Sequence, residues 1–146
     1  MFTNSMVRGG AMLAASVLLA ATPATRAEAQ ISVVVAASSG LTATESQIAD
    51  MFTGGKTTWA NGARVQVVDQ PDTDTGKAFY SGFLKQPVAQ IRTQWTKLVL
   101  SGQAPAPKKE SGSDGVKKSV AGTSGAIGYI ATADLDGTVK EIFRIK

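Results

Sequence analysis

Cysteine and histidine are both missing from the 146 residues. Without cysteine there is no disulfide framework, so packing alone must hold the fold. The two absences together remove Cys/His zinc sites, Ser–His and Cys–His nucleophilic pairs, and the commonest general base near neutral pH. Few enzymes can be assembled from what remains, so the chain is expected to be no enzyme and to carry no cofactor and no metal. Aromatic residues make up only 6%. No stripe of Arg and Lys interleaves with them, so the net charge of +4 does not translate into a nucleic-acid surface. No apolar run reaches the roughly 20 residues that span a bilayer as a helix.

The N-terminus does have a shorter apolar run. A polar, positive start ends at Arg8, Ala11–Thr22 is apolar and alanine-rich, and a polar stretch closes on Ala27-Glu28-Ala29. This is the three-part grammar of a signal peptide with an A-x-A cleavage site. Residues 1–29 are therefore expected to be removed on export, with no cysteine at the site to accept a lipid. The remaining 117 residues carry thirteen Lys and Arg against ten Asp and Glu. That length suffices for one domain with one core. The expected product is a free periplasmic protein of residues 30–146.

Within it, Ile31–Ala37 is a continuous β-branched run, which predicts a strand buried on both faces. Thr44-x-x-Gln47 has the form of a capping box ahead of a helix with Ile48, Met51 and Phe52 on one face, ended by Gly54-Gly55. Asn61-Gly62 turns into a strand over Arg64–Val68. After the polar loop Asp69–Thr75, a helix is expected over Gly76–Lys85, burying Phe79, Tyr80 and Phe83. Pro87 opens a longer helix whose stripe is Val88, Ile91, Trp95 and Leu98. Gln103–Glu110 reads as a surface loop. Ser113 or Asp114 is expected to cap a short helix. Strands follow at Ala126–Ala131 and Val139–Ile145. Strands interleaved with helices imply an α/β sandwich around a largely parallel sheet.

Two of these helices begin after loops rich in hydroxyls, at Thr73-Asp74-Thr75 and Ser111-Gly112-Ser113. In an open α/β fold such loops lie at the mouth of the sheet, and unpaired N–H groups there favour an anion. Capping is the ordinary role of the same residues. Asp69, Asp72 and Asp74 oppose an anion and offer oxygens to Ca²⁺, but the spacing matches no EF-hand loop; a solvated acidic turn is the simpler reading. Trp59 and Trp95 are read as packed. Lys108-Lys109 and Lys117-Lys118 read as solvated faces that flank the second loop and attract anions.

Two segments carry a resemblance. Ser111-Gly-Ser-Asp-Gly-Val116 followed by Val120-Ala-Gly-Thr-Ser-Gly-Ala-Ile-Gly-Tyr129 resembles the G-x-(N/S)-(D/E)-G-V…V-A-x-T-x-G-A-I-G-Y stretch of the phosphate-binding proteins of ABC transporters. Upstream, Gln47–Trp59 resembles their Q-x-x-x-I-F-x-G-K-x-x-x-W segment. The resemblance implies a single lobe of a type II periplasmic-binding-protein-like fold, an α/β unit of about four or five strands flanked by helices. It implies a solute-binding-like protein for phosphate or a similar anion, associated with a membrane permease. Aligned on Phe79, the family's R-x-D-x-S-G-T loop puts its S-G-T on Thr73-Asp74-Thr75 and its arginine on Asp69. Replacing that arginine removes a charge-assisted contact of about 1.5–3 kcal/mol. The expected ligand residues are Thr73 and Thr75, joined by Ser38, Ser39 and Ser113. A homodimer or another envelope protein would complete the cleft. The alternative is a protein-interaction module of the envelope that has lost its ligand.

Overall fold

Ile31–Ala36 forms strand β1, with Ile31 through Val35 buried as the β-branched run predicts. The computed structural model describes residues 30–146, so the expected signal peptide lies outside the described residues. The capping box holds. The Thr44 side chain accepts from the Gln47 backbone and the Gln47 side chain accepts from the Thr44 N–H, starting helix α1 (Glu45–Thr53). Gly54 ends it in the left-handed conformation at φ 86°. Strand β2 (Gln66–Asp69) leads to helix α2 (Asp74–Ala78), which widens without a break into a π-helical segment, Phe79–Leu84. Helix α3 (Val88–Leu100), strand β3 (Lys108–Lys109), helix α4 (Ser113–Gly122), strand β4 (Ala126–Ala131) and strand β5 (Val139–Ile145) complete the order.

The five strands make one sheet in the order β3-β2-β4-β1-β5. It is mixed, which corrects the expectation of a largely parallel sheet. β2 runs parallel to β3 and β4, whereas β1 is antiparallel to both β4 and β5. Hydrophobic runs report burial, not direction, so the sequence could not distinguish the two. β3 is a further correction. Two lysines inside the expected surface loop pair with Val68 and Asp69.

Alternation along the strands sends side chains to two cores. On one face Val33, Val35, Val67, Ile127 and Tyr129 meet α1, α3 and the π-helical segment. Phe79 stacks on Tyr129 with ring centroids 3.8 Å apart, and Phe52 meets Phe79 edge-on at 4.8 Å. On the other face Val34, Val68 and Ile130 meet α4, through Val116 and Val120, with Leu135 packed alongside. α4 comes so close that a Cβ on Gly128 would lie 2.6 Å from a Val116 methyl. Trp59 is buried and its indole N–H donates to the Gly125 carbonyl at 2.9 Å. Trp95 is half-buried and donates to the Phe52 carbonyl at 2.9 Å, which joins α3 to α1. Among the described residues no helix is long and apolar enough to cross a membrane.

Candidate functional site

The chain leaves β2 and β3 at the same end of the sheet and in opposite directions. From β2 it enters α2, the π-helical segment and α3 on the aromatic face; from β3 it enters α4 on the aliphatic face. Adjacent parallel strands whose connections diverge leave a crevice outside their carboxyl ends, which is where open α/β sheets bind ligands. The loop between Asp69 and Asp74 and the loop between Lys109 and Ser113 both leave from this end of the sheet.

The first loop is knotted internally. Asp69, read from the sequence as part of a solvated turn, is instead buried at 7% exposure. Its two carboxylate oxygens accept from the phenols of Tyr80 and Tyr129. Burial, followed by the nearby Asp69 charge, pushes both phenols well above their ordinary pKa. Gln70, 1% exposed, donates its side-chain amide to the Tyr129 carbonyl at 2.7 Å and its backbone N–H to the Tyr129 hydroxyl at 3.2 Å. Thr73 accepts from the Gly76 N–H at 2.9 Å and donates back to Gln70, to the carbonyl at 2.8 Å or the side-chain oxygen at 3.0 Å. Its hydroxyl is thus spent within the loop as an N-cap. Gly76 is where the loop and α2 touch: a Cβ there would lie 1.9 Å from the Gln70 carbonyl oxygen. Thr75 is half-buried on the first turn of α2, and its hydroxyl has no hydrogen-bond partner among the described residues. Asp72 and Asp74 are exposed, with Asp72 3.8 Å from Arg92.

The second loop is open. The residue before α4 is Gly112, with no side chain to cap it, so neither Ser113 nor Asp114 is the cap that was expected. Ser113 occupies the first helical position. Glu110 folds back along this helix start: its carboxylate accepts from Ser119, lies 3.6 Å from Lys108, and would touch a Cβ on Gly115 at 2.6 Å. A carboxylate of the chain itself therefore already lies against the positive end of α4. Lys109 has no carboxylate within ion-pair distance among the described residues, whereas Lys117 is held by Asp114 at 3.5 Å and Asp136 at 2.8 Å. The hydrogen bond from Lys117 lowers the Asp136 carboxyl to about 2.

The expected ligand residues divide accordingly. Thr73, Thr75 and Ser113 share the crevice end of the sheet. Ser38 and Ser39 do not join them. They follow β1, and because Val34 pairs with Gly128 and Ile31 with Ala131 in antiparallel register, they lie at the opposite end. Ser39 also donates to the Ala36 carbonyl at 2.8 Å. The residues missed from the sequence are Asp69 and Gln70 as buried anchors and Glu110 at α4. Tyr129 was the available signal, since a buried phenol needs a partner. No group of three or more Asp and Glu able to hold a metal occurs among the described residues.

No protein-family model matches the chain. No curated protein matches it either. Solved structures do. A protein assigned as a phosphate ABC transporter substrate-binding protein, from Clostridium perfringens and with phosphate bound, superposes at TM-score 0.60 with 23% identity, over 78% of this chain and 45% of that one. An ABC-type phosphate transport receptor from Vibrio cholerae superposes at 0.61 with 20% identity, over 78% and 47%. PstS from Borrelia burgdorferi superposes at 0.51 with 13% identity, over 71% and 42%. The chain thus spans less than half the length of the solved structures it matches, and its five-stranded α/β unit has the fold of one part of a phosphate ABC transporter substrate-binding protein.

Proposed function

We propose that this chain is a solute-binding-like protein of the periplasm, exported by its N-terminal segment, that takes phosphate or a similar oxyanion and works with an ABC-type permease rather than catalysing a reaction. The observation that carries this reading is the divergence of the chain at the carboxyl ends of the adjacent parallel strands β2 and β3, in a fold shared with proteins named for phosphate transport. Thr75 and Ser113 are the hydroxyls offered to the anion, with Lys109 supplying positive charge. Thr73 shapes the crevice by capping α2. Ser38 and Ser39 have no part in it. Asp69, bound by two phenols, and Glu110, lying against α4, both oppose an anion, so binding is weak. No observation favours the ligand-less interaction module over this reading, and nothing supports a homodimer.

Calorimetric titration of the purified protein with phosphate and sulfate tests it. Saturable phosphate binding is expected, weakened at least about tenfold in a Thr75→Val/Ser113→Ala double variant, since each lost hydrogen bond to a charged ligand is worth about 1.5–3 kcal/mol. Absence of heat with either anion would sink the oxyanion reading.

A further inference from the structure

We propose a second ligand site, for a small amphipathic organic carboxylate, in the cleft of about 370 Å³ between α3 and the Ala106–Lys109 segment. The cleft adjoins the proposed oxyanion crevice and shares Asp69, Pro71 and Lys109 with it, but its apolar lining on α3 lies outside that crevice. Ile91, Trp95, Val99 and Leu100 form one wall and Pro107 belongs to the other. Val99 and Leu100 are the two large hydrophobic side chains that stay exposed among the described residues, at 37% and 83%, and both line this cleft. Apolar exposure concentrated on one concave surface marks a binding site, whereas scattered exposure is ordinary.

The charges on the lining set the ligand's sign. Asp69 is the one carboxylate on the lining, and both of its oxygens accept from tyrosines. Arg92 holds only the exposed Asp72, at 3.8 Å, and Lys109 has no carboxylate partner among the described residues. Two cations against the single carboxylate of Asp69 leave the lining net positive. They suit a carboxylate head, with the apolar body laid along Trp95 and Leu100. The volume is at the lower end of the roughly 300–1,000 Å³ typical of small-molecule sites. An extended peptide is a poorer fit. β3 is the edge strand here, and with two residues between Pro107 and the turn at Glu110 it offers almost no ladder to extend.

The two tryptophans provide the test, because each gives one indole N–H resonance and only Trp95 lines the cleft. Titrating the purified protein with octanoate is expected to move the Trp95 signal saturably and leave the Trp59 signal in place. Octanol and octylammonium should bind at least about fivefold more weakly. Lys109→Gln should weaken octanoate about threefold, and Leu100→Gln, at a side chain too exposed to endanger folding, about fivefold. A Trp95 signal that stays still, or octylammonium binding as tightly as octanoate, overturns the proposal. If inorganic phosphate moves the same resonance and displaces octanoate, the cleft is the oxyanion site and no separate amphiphile site exists. Phosphate shifting only the amides around Ser113 keeps the two sites distinct, and failure of phosphate to bind leaves the octanoate result standing alone.

Discussion

The two loops that flank the crevice look alike as sequences, each a short run of hydroxyls and glycine or aspartate ahead of a helix, yet they are built differently. In Asp69–Thr75 every polar group near the strand is engaged within the chain: Asp69 by two phenols, Gln70 by Tyr129, Thr73 by Gln70 and Gly76. In Glu110–Ser113 the cap is a bare glycine, and the carboxylate lying against the helix start arrives from Glu110 outside the helix. A hydroxyl before a helix is therefore not equivalent to a hydroxyl offered to a ligand. What decides is whether a buried neighbour has already claimed it.

The sharpest way to break this contrast is Gly76→Ala. The new methyl would overlap the Gln70 carbonyl, a backbone atom that cannot swing away because Gln70 is fixed to β4. A loss of at least about 3 kcal/mol in urea unfolding is expected. Gly82→Ala is the control: nothing lies within 4 Å of its added Cβ, and the change should stay within about 1 kcal/mol, in the stabilising direction. Equal effects at the two glycines would mean that the first loop is not tightly held.

Tyr80 and Tyr129 give the next largest effect. They are the chain's two tyrosines, so the ultraviolet tyrosinate band reports on this pair alone. Both phenols are raised by burial and by Asp69, so the folded state holds protons that the unfolded chain releases near pH about 10. The sign follows: their contribution is fully present below pH about 10 and is lost as pH climbs above it. Tyrosinate absorbance is expected to appear together with the loss of helical circular dichroism, in one cooperative step. A gradual titration of either phenol in the folded protein would show that Asp69 is not locked. Tyr129→Phe removes one donor from a buried carboxylate and should cost about 1.5–3 kcal/mol.

Much of the fold was legible in the chain because it rests on local chemistry. The capping box at Thr44 and Gln47, the glycine stop at Gly54, the stripe on α3 and the runs of β1, β4 and β5 each declare themselves within a dozen residues. What was not legible depends on partners far away in sequence. Asp69 looks solvated until Tyr80 and Tyr129, 11 and 60 residues away in the chain, are folded over it. β3 has no hydrophobic pattern at all, since a two-residue edge strand of lysines is defined only by the β2 backbone beside it. The direction of β1 is set by which strands it pairs with, and its apolar residues would read the same either way. Ser38 and Ser39 carry the same kind of hydroxyl as the two threonines, and the antiparallel register of β1 puts them at the other end of the sheet.

The finest test sets Thr73 directly against Ser113. Thr73→Ala deletes an N-cap and frees Gln70, so it should cost about 1 kcal/mol of stability. Ser113→Ala deletes a hydroxyl with no hydrogen-bond partner among the described residues, so its stability should change by less than about 0.5 kcal/mol. In anion affinity the order should reverse. Once measured well below its own unfolding midpoint, the Thr73 variant should bind phosphate nearly as the parent does, because its hydroxyl never faced the crevice with a free proton. The Ser113 variant should bind more weakly. Denaturant curves and calorimetry on the same two preparations check both halves at once. If Thr73→Ala abolishes binding while Ser113→Ala leaves it intact, then the internal hydrogen bonds of the first loop are exchanged for the ligand on binding, and the two loops differ in order of engagement and not in kind.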